Sequence, residues 1–102
     1  MTVAEVLREA AASIDVAAAD VADGGTVFLA GDTTVALVSA DGSTAEFRLD
    51  PAVAAAAQRT PDTSASERGP DWVRFSPADL DDHAIDRAVA WLGSAARRAD
   101  RD

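Results

Sequence analysis

Apolar residues recur at helical spacing from the start of the chain. Val3, Val6, Leu7, Ala10, Ala11 and Ile14 form one stripe, with Glu5, Arg8 and Glu9 on the wet side. Thr2 and Glu5 make a Thr-x-x-Glu capping box, so the pattern predicts a helix that starts after Thr2 and ends near Ser13. Residues 14–23 fit either a weak strand or an extension of that helix, and Asp23-Gly24-Gly25 then breaks the chain.

Short apolar runs follow, bounded by turn residues. Strands are predicted over 26–30 and 34–39, joined at Gly31-Asp32, and over 44–49 after the hairpin signal Asp41-Gly42. The apolar residues of 26–30 and 34–39 alternate poorly, so both faces of those strands are expected to be partly apolar, with a second copy of the chain as one possible cover. Asp50-Pro51 reads as a cap followed by a first helical position, giving a short helix over 51–58. Residues 59–70 carry Pro, Ser, Thr and Gly and read as a mobile loop; its Thr60-Pro61 is either a phosphorylation or docking segment or only part of a connector. A strand over 71–75 carries Trp72 and Phe75. Ser76-Pro77 reads as a further helical start, with Asp79 at its third position. The last helix, over 82–99, has a stripe of Ile85, Ala88, Val89, Leu92, Ala96 and Ala99.

The order helix, antiparallel strands, short helix, loop, strand, long helix predicts an α+β domain. Its antiparallel sheet of four to five strands carries the N- and C-terminal helices on one face. At 102 residues the chain is one domain with one modest core. Cysteine is absent, which excludes disulfides, thiolate catalysis and thiolate metal sites. No apolar run reaches the roughly 20 residues of a membrane span, and Glu5 and Glu9 stand where a signal peptide is apolar, so a cytoplasmic location is expected. All nine basic residues are arginine, and the net charge of −9 repels phosphate backbones.

Val27-Phe28-Leu29-Ala30-Gly31-Asp32, Val35-Ala36-Leu37-Val38, Asp41-Gly42, Phe47-Arg48-Leu49-Asp50-Pro51 and Asp71-Trp72-Val73-Arg74-Phe75 occur in that order. Over residues 26–99 this order resembles the MmcQ/YjbR-like family, related to the N-terminal domain of TfoX. The resemblance implies helices on one face of an antiparallel sheet, and DNA binding as a role.

Candidate chemistry is sparse. His83 is the only histidine, and a regular helix places Asp79 and Asp86 on its face. That set is either a general base with an orienting carboxylate or a solvated, acid-rich helix start. Asp79, Asp81, Asp82 and Asp86 offer oxygen ligands to a hard cation, frataxin-like by analogy, with His83 beside them. The same acids also suit the helix dipole. The glycines match no phosphate-binding loop. No cofactor is implied.

Strand alternation sets Arg48, Trp72 and Arg74 on the sheet face opposite Phe47, Leu49, Val73 and Phe75. Two arginines beside a tryptophan suit an anion, a base or an acidic peptide. The alternative is that Glu46 pairs with an arginine across strands and Trp72 only shields the sheet. The reading that follows is a non-enzymatic binding module for a protein or anionic ligand. DNA binding is the alternative the resemblance implies, and metal binding the one the acids suggest.

Overall fold

The computed structural model describes residues 1–101. Its elements run α1 (Val3–Ser13), β1 (Ala17–Asp20), β2 (Thr26–Ala30), β3 (Thr33–Val38), β4 (Ala45–Arg48), α2 (Pro51–Ala57), β5 (Thr63–Ala65), β6 (Trp72–Phe75) and α3 (Asp82–Arg101). The strands form one antiparallel sheet in the order β1-β2-β3-β4-β6-β5. The N- and C-terminal helices lie together on one face of this α+β fold, where α3 packs on β2, β3 and β4. The sheet has six strands, one more than the upper expectation.

The capping box forms as the sequence demands. The Glu5 backbone N–H donates to the Thr2 hydroxyl, and the Glu5 carboxylate accepts from the Thr2 N–H, both at 3.2 Å. The C-terminus of α1 decides the fate of residues 14–23. Asp15 adopts φ 60, and the Val16 N–H reaches back to the Ala11 carbonyl at 3.2 Å while both side chains bury. This left-handed helix stop turns the chain into β1 instead of prolonging α1. An aspartate in that conformation is strained. Asp15→Gly is therefore expected to raise stability by about 0.5 kcal/mol, read as a higher urea midpoint at unchanged slope.

The poor alternation of the middle strands has a specific cause. Phe28 pairs with Ala36 but Leu29 pairs with Thr34, so the register slips at a bulge. Val35 and Ala36, consecutive in sequence, are both fully buried. At the next hairpin Gly42 (φ 76) is buried against α1, and its carbonyl accepts from the Ala4 N–H at 3.2 Å. A Cβ there lies 3.4 Å from both Ala4 and Thr2, so glycine serves the turn and the close approach together.

Trp91 sits at the centre of the core, edge-on to Phe47 (5.9 Å) and Phe75 (5.4 Å). The buried stripe of α3 is Ala84, Ala88, Trp91, Leu92, Ala95 and Ala96. It is rotated from the expected stripe and leaves Val89 42% exposed. Small alanines let the helix approach the sheet, and the single indole fills the space between the phenylalanines.

Three local expectations need correction. Asp50 makes no side-chain cap for α2; its carboxylate is taken by Arg101 and, at 3.7 Å, by Arg98. Ser76-Pro77 starts no helix: α3 begins at Asp82, capped by the Asp81 carboxylate on the Ala84 N–H at 2.9 Å. The stretch 59–70 is not simply a loop, because Thr63–Ala65 pairs with β6 as the edge strand β5.

Candidate functional site

The uncovered face of the sheet can be read directly from the register. One row crosses all six strands: Ala19, Val27, Leu37, Glu46, Arg74 and Ser64 stand opposite one another in turn. Residues opposite each other in antiparallel strands share a face, so this row lies away from the helices. It is apolar over β1–β3, charged on β4 and β6, and polar on β5. Arg48 opposite Trp72 forms a second charged row beside it. Arg48, Trp72 and Arg74 thus share the open face, as the alternation predicts.

The ionic partners on that face differ from the simple cross-strand pairing. Glu46 faces Arg74 in register, but its carboxylate binds Arg68 at 3.1 Å and accepts the Ser66 hydroxyl. The Arg68 guanidinium also lies 5.8 Å above the Trp72 ring. Arg48 stands 3.9 Å from Asp71, whose carboxylate also receives Arg98 at 2.9 Å. Arg74 is exposed, and no hydrogen bond or ion pair to it occurs among the described residues.

Two open depressions meet at this cluster. One, of about 570 Å³, runs from Val21 and Leu37 past Ser39 and Asp41 to Glu46, Arg68 and Arg74. The other is lined by Ser64, Ser66 and Glu67 and shares Glu46, Arg68 and Arg74 with the first. No family model, curated protein or solved structure matches the chain at a significant level. The geometry of the chain's own residues therefore carries the functional reading.

Arg68 is the member of this cluster that sequence reasoning missed. It sits in the polar stretch after β5, and nothing in the local pattern of Ser-Glu-Arg-Gly marks it as a sheet-face residue. Only the pairing of β5 with β6 brings it over Trp72.

Asp41 at the rim is held by its own hairpin. The Ser39 hydroxyl (2.6 Å), the Ser43 backbone N–H (3.0 Å) and the Ser43 hydroxyl (2.7 Å) all donate to Asp41 Oδ1. These bonds, the Ser39 hydroxyl foremost, lower its pKa from the ordinary 3.8 to about 2. A carboxyl depressed in the fold adds stability above its unfolded value, and that contribution is lost as pH falls from about 4 toward 2. A carboxyl NMR titration is expected to give Asp41 a midpoint near 2, and a higher one, still below 3.8, in a Ser39→Ala/Ser43→Ala double variant that keeps the residue-43 backbone N–H donor.

The acidic helix start is a different matter. Asp79 lies before α3 and not on it, while Asp82, His83 and Asp86 are exposed on its first two turns. Among the described residues no three His, Asp or Glu side chains gather so as to hold a metal ion. The Asp79, Asp82, His83, Asp86 cluster expected from a regular helix does not assemble, because the helix begins three residues after Asp79. His83 likewise has no hydrogen-bonded carboxylate among the described residues. No described helix is long and apolar enough to cross a membrane.

Proposed function

We propose that this chain is a small non-catalytic binding module whose open sheet face takes an acidic peptide segment of a partner protein. Arg74 carries the reading: it is exposed, lacks an ionic partner among the described residues, and stands where the two depressions meet. Glu46 does not cancel it, since Arg68 and Ser66 already engage that carboxylate. A guanidinium presents several donors in a planar fork that matches a carboxylate. Arg68 and Trp72 flank the position, and Leu37 and Val27 continue the row as an apolar bed for a neighbouring side chain of the ligand. Phosphate-rich nucleic acid is the less favoured partner: a duplex carries a continuous row of phosphates along its whole length, so a chain of net charge −9 repels it more strongly than a short segment with a few carboxylates.

A hexaglutamate peptide flanked by two leucines is the probe. Loss of a charge-assisted hydrogen bond costs about 1.5–3 kcal/mol, so Arg74→Ala is expected to weaken binding about tenfold or more by calorimetry, with thermal unfolding unchanged. Equal affinity in the variant removes Arg74 from the site. Tight binding of a short DNA duplex in place of the peptide, falling steeply with salt, assigns the face to nucleic acid instead.

A further inference from the structure

The helical layer carries a second surface, on the side away from the open sheet face. A groove of about 440 Å³ runs between α1 and α3, lined mainly by Val6, Ala10, Ile14, Ile85, Val89 and Gly93. Four large apolar residues stand exposed among those described, and three of them, Met1, Ile14 and Val89, line this one groove. Exposed apolar residues are ordinary when scattered singly; their convergence is what needs explaining. Ile85, Val89 and Gly93 recur at i, i+4 and i+8, so the α3 bank is about 12 Å long, two turns of helix. The groove thus has the length and the linear form to receive two turns of another helix.

Its charge selects the occupant. Glu9 lines the α1 bank. On α3, Asp82 and Asp86 are exposed at i−3 and i+1 from Ile85, on the outer side of the groove by helical spacing. Two cations accompany these acids: the α-ammonium of Met1, which lines the groove, and at the far end Arg97, whose guanidinium lies 3.3 Å from where a Cβ on Gly93 would stand. A second copy would bring this acidic rim against itself, with a net charge of −9 on each chain.

We infer that the α1/α3 groove is a docking site for an amphipathic helix with two apolar anchors four residues apart and lysine or arginine beside them. The anchors fill the space over Val89 and Ile14, and the basic residues meet Glu9 and Asp86. This site is independent of Arg74 and of the open face.

The test uses a 14-residue leucine/lysine amphipathic peptide, titrated calorimetrically into the full chain near physiological salt. One-to-one saturable binding is expected, at least tenfold weaker for Val89→Asp and Val89→Ser and unchanged for Arg74→Ala. The aspartate variant is diagnostic, because an added negative charge strengthens a purely ionic attraction to this cationic peptide. Equal or tighter binding by Val89→Asp overturns the inference, as does no binding by the parent chain. A concentration-dependent dimer that Val89→Asp dissolves gives the groove to a second copy and also overturns it. Val89 is already half exposed, so both variants are expected to keep the parent's circular dichroism melt.

Discussion

Trp91→Ala is expected to lower unfolding stability by about 3–5 kcal/mol, the usual cost of truncating a large buried aromatic. The side chain is 9% exposed and touches the rings of Phe47 and Phe75 edge-on, so one truncation opens a void between two strands and the helix that covers them. A domain of this size is stable by about 5–15 kcal/mol, which makes the loss a large share of the whole. Much of the remaining core is alanine, and Ala84, Ala88 and Ala95 on the same helix have no side-chain reach with which to refill the space. Chemical denaturation followed by far-ultraviolet circular dichroism measures it. Trp91→Phe separates volume from ring contact and is expected to lose about half as much. A loss below about 1 kcal/mol in the alanine variant contradicts the placement of Trp91 at the centre of the core.

Arg98→Ala is expected to cost about 2–3 kcal/mol, far more than a surface ion pair contributes. Arg98 is largely buried, and its Nη1 donates to the Leu49 carbonyl at 2.6 Å and to Asp71 at 2.9 Å, with Asp50 3.7 Å from Nε. One guanidinium thereby joins the end of α3 to the exit of β4 and the entry to β6. Its removal leaves a partly buried carboxylate and a carbonyl without this donor, and that desolvation is the larger part of the cost. Arg98→Met keeps the apolar stem and is expected to recover less than half of the loss. An Asp71→Ala/Arg98→Ala cycle is expected to show a coupling of about 1 kcal/mol or more, and strict additivity refutes the pairing. The same bond holds Asp71 beside Arg48, so the open face depends on it indirectly.

The two edge strands mark where the sequence stops being legible. Elements with a covered face announce themselves: α1 by its stripe and capping box, β2, β3, β4 and β6 by buried phenylalanines and valines. β1 is Ala-Ala-Ala-Asp and β5 is Thr-Ser-Ala. Each has one neighbour, little covering and no alternation to read, so only its partner strand specifies it. β1 is exposed at every position and is held by pairing with β2 and by the Arg8 guanidinium, 2.7 Å from Asp20. The stripe of α3 was partly legible: Ala88, Leu92 and Ala96 lie within it, but whether the helix rolls toward Trp91 or Val89 depends on the shape of the sheet beneath.

The candidate site divides along the same line. Arg48, Trp72 and Arg74 reach one face because alternation is a local rule. Arg68 joins them only through β5, and the Glu46 carboxylate turns to Arg68 in place of the cross-strand Arg74. The His83 and aspartate cluster failed because Asp79 precedes the helix start that Asp81 caps. Helical spacing places side chains on a common face only within the helix.

An amide NMR titration of the full chain with the leucine-flanked hexaglutamate peptide tests the open-face assignment most directly. Saturable shifts are expected, centred on Arg74, Arg68, the Trp72 indole and Leu37, with the resonances of Ile14 and Val89 unmoved. Shifts confined to the helical layer, or none at all at millimolar peptide, contradict the assignment.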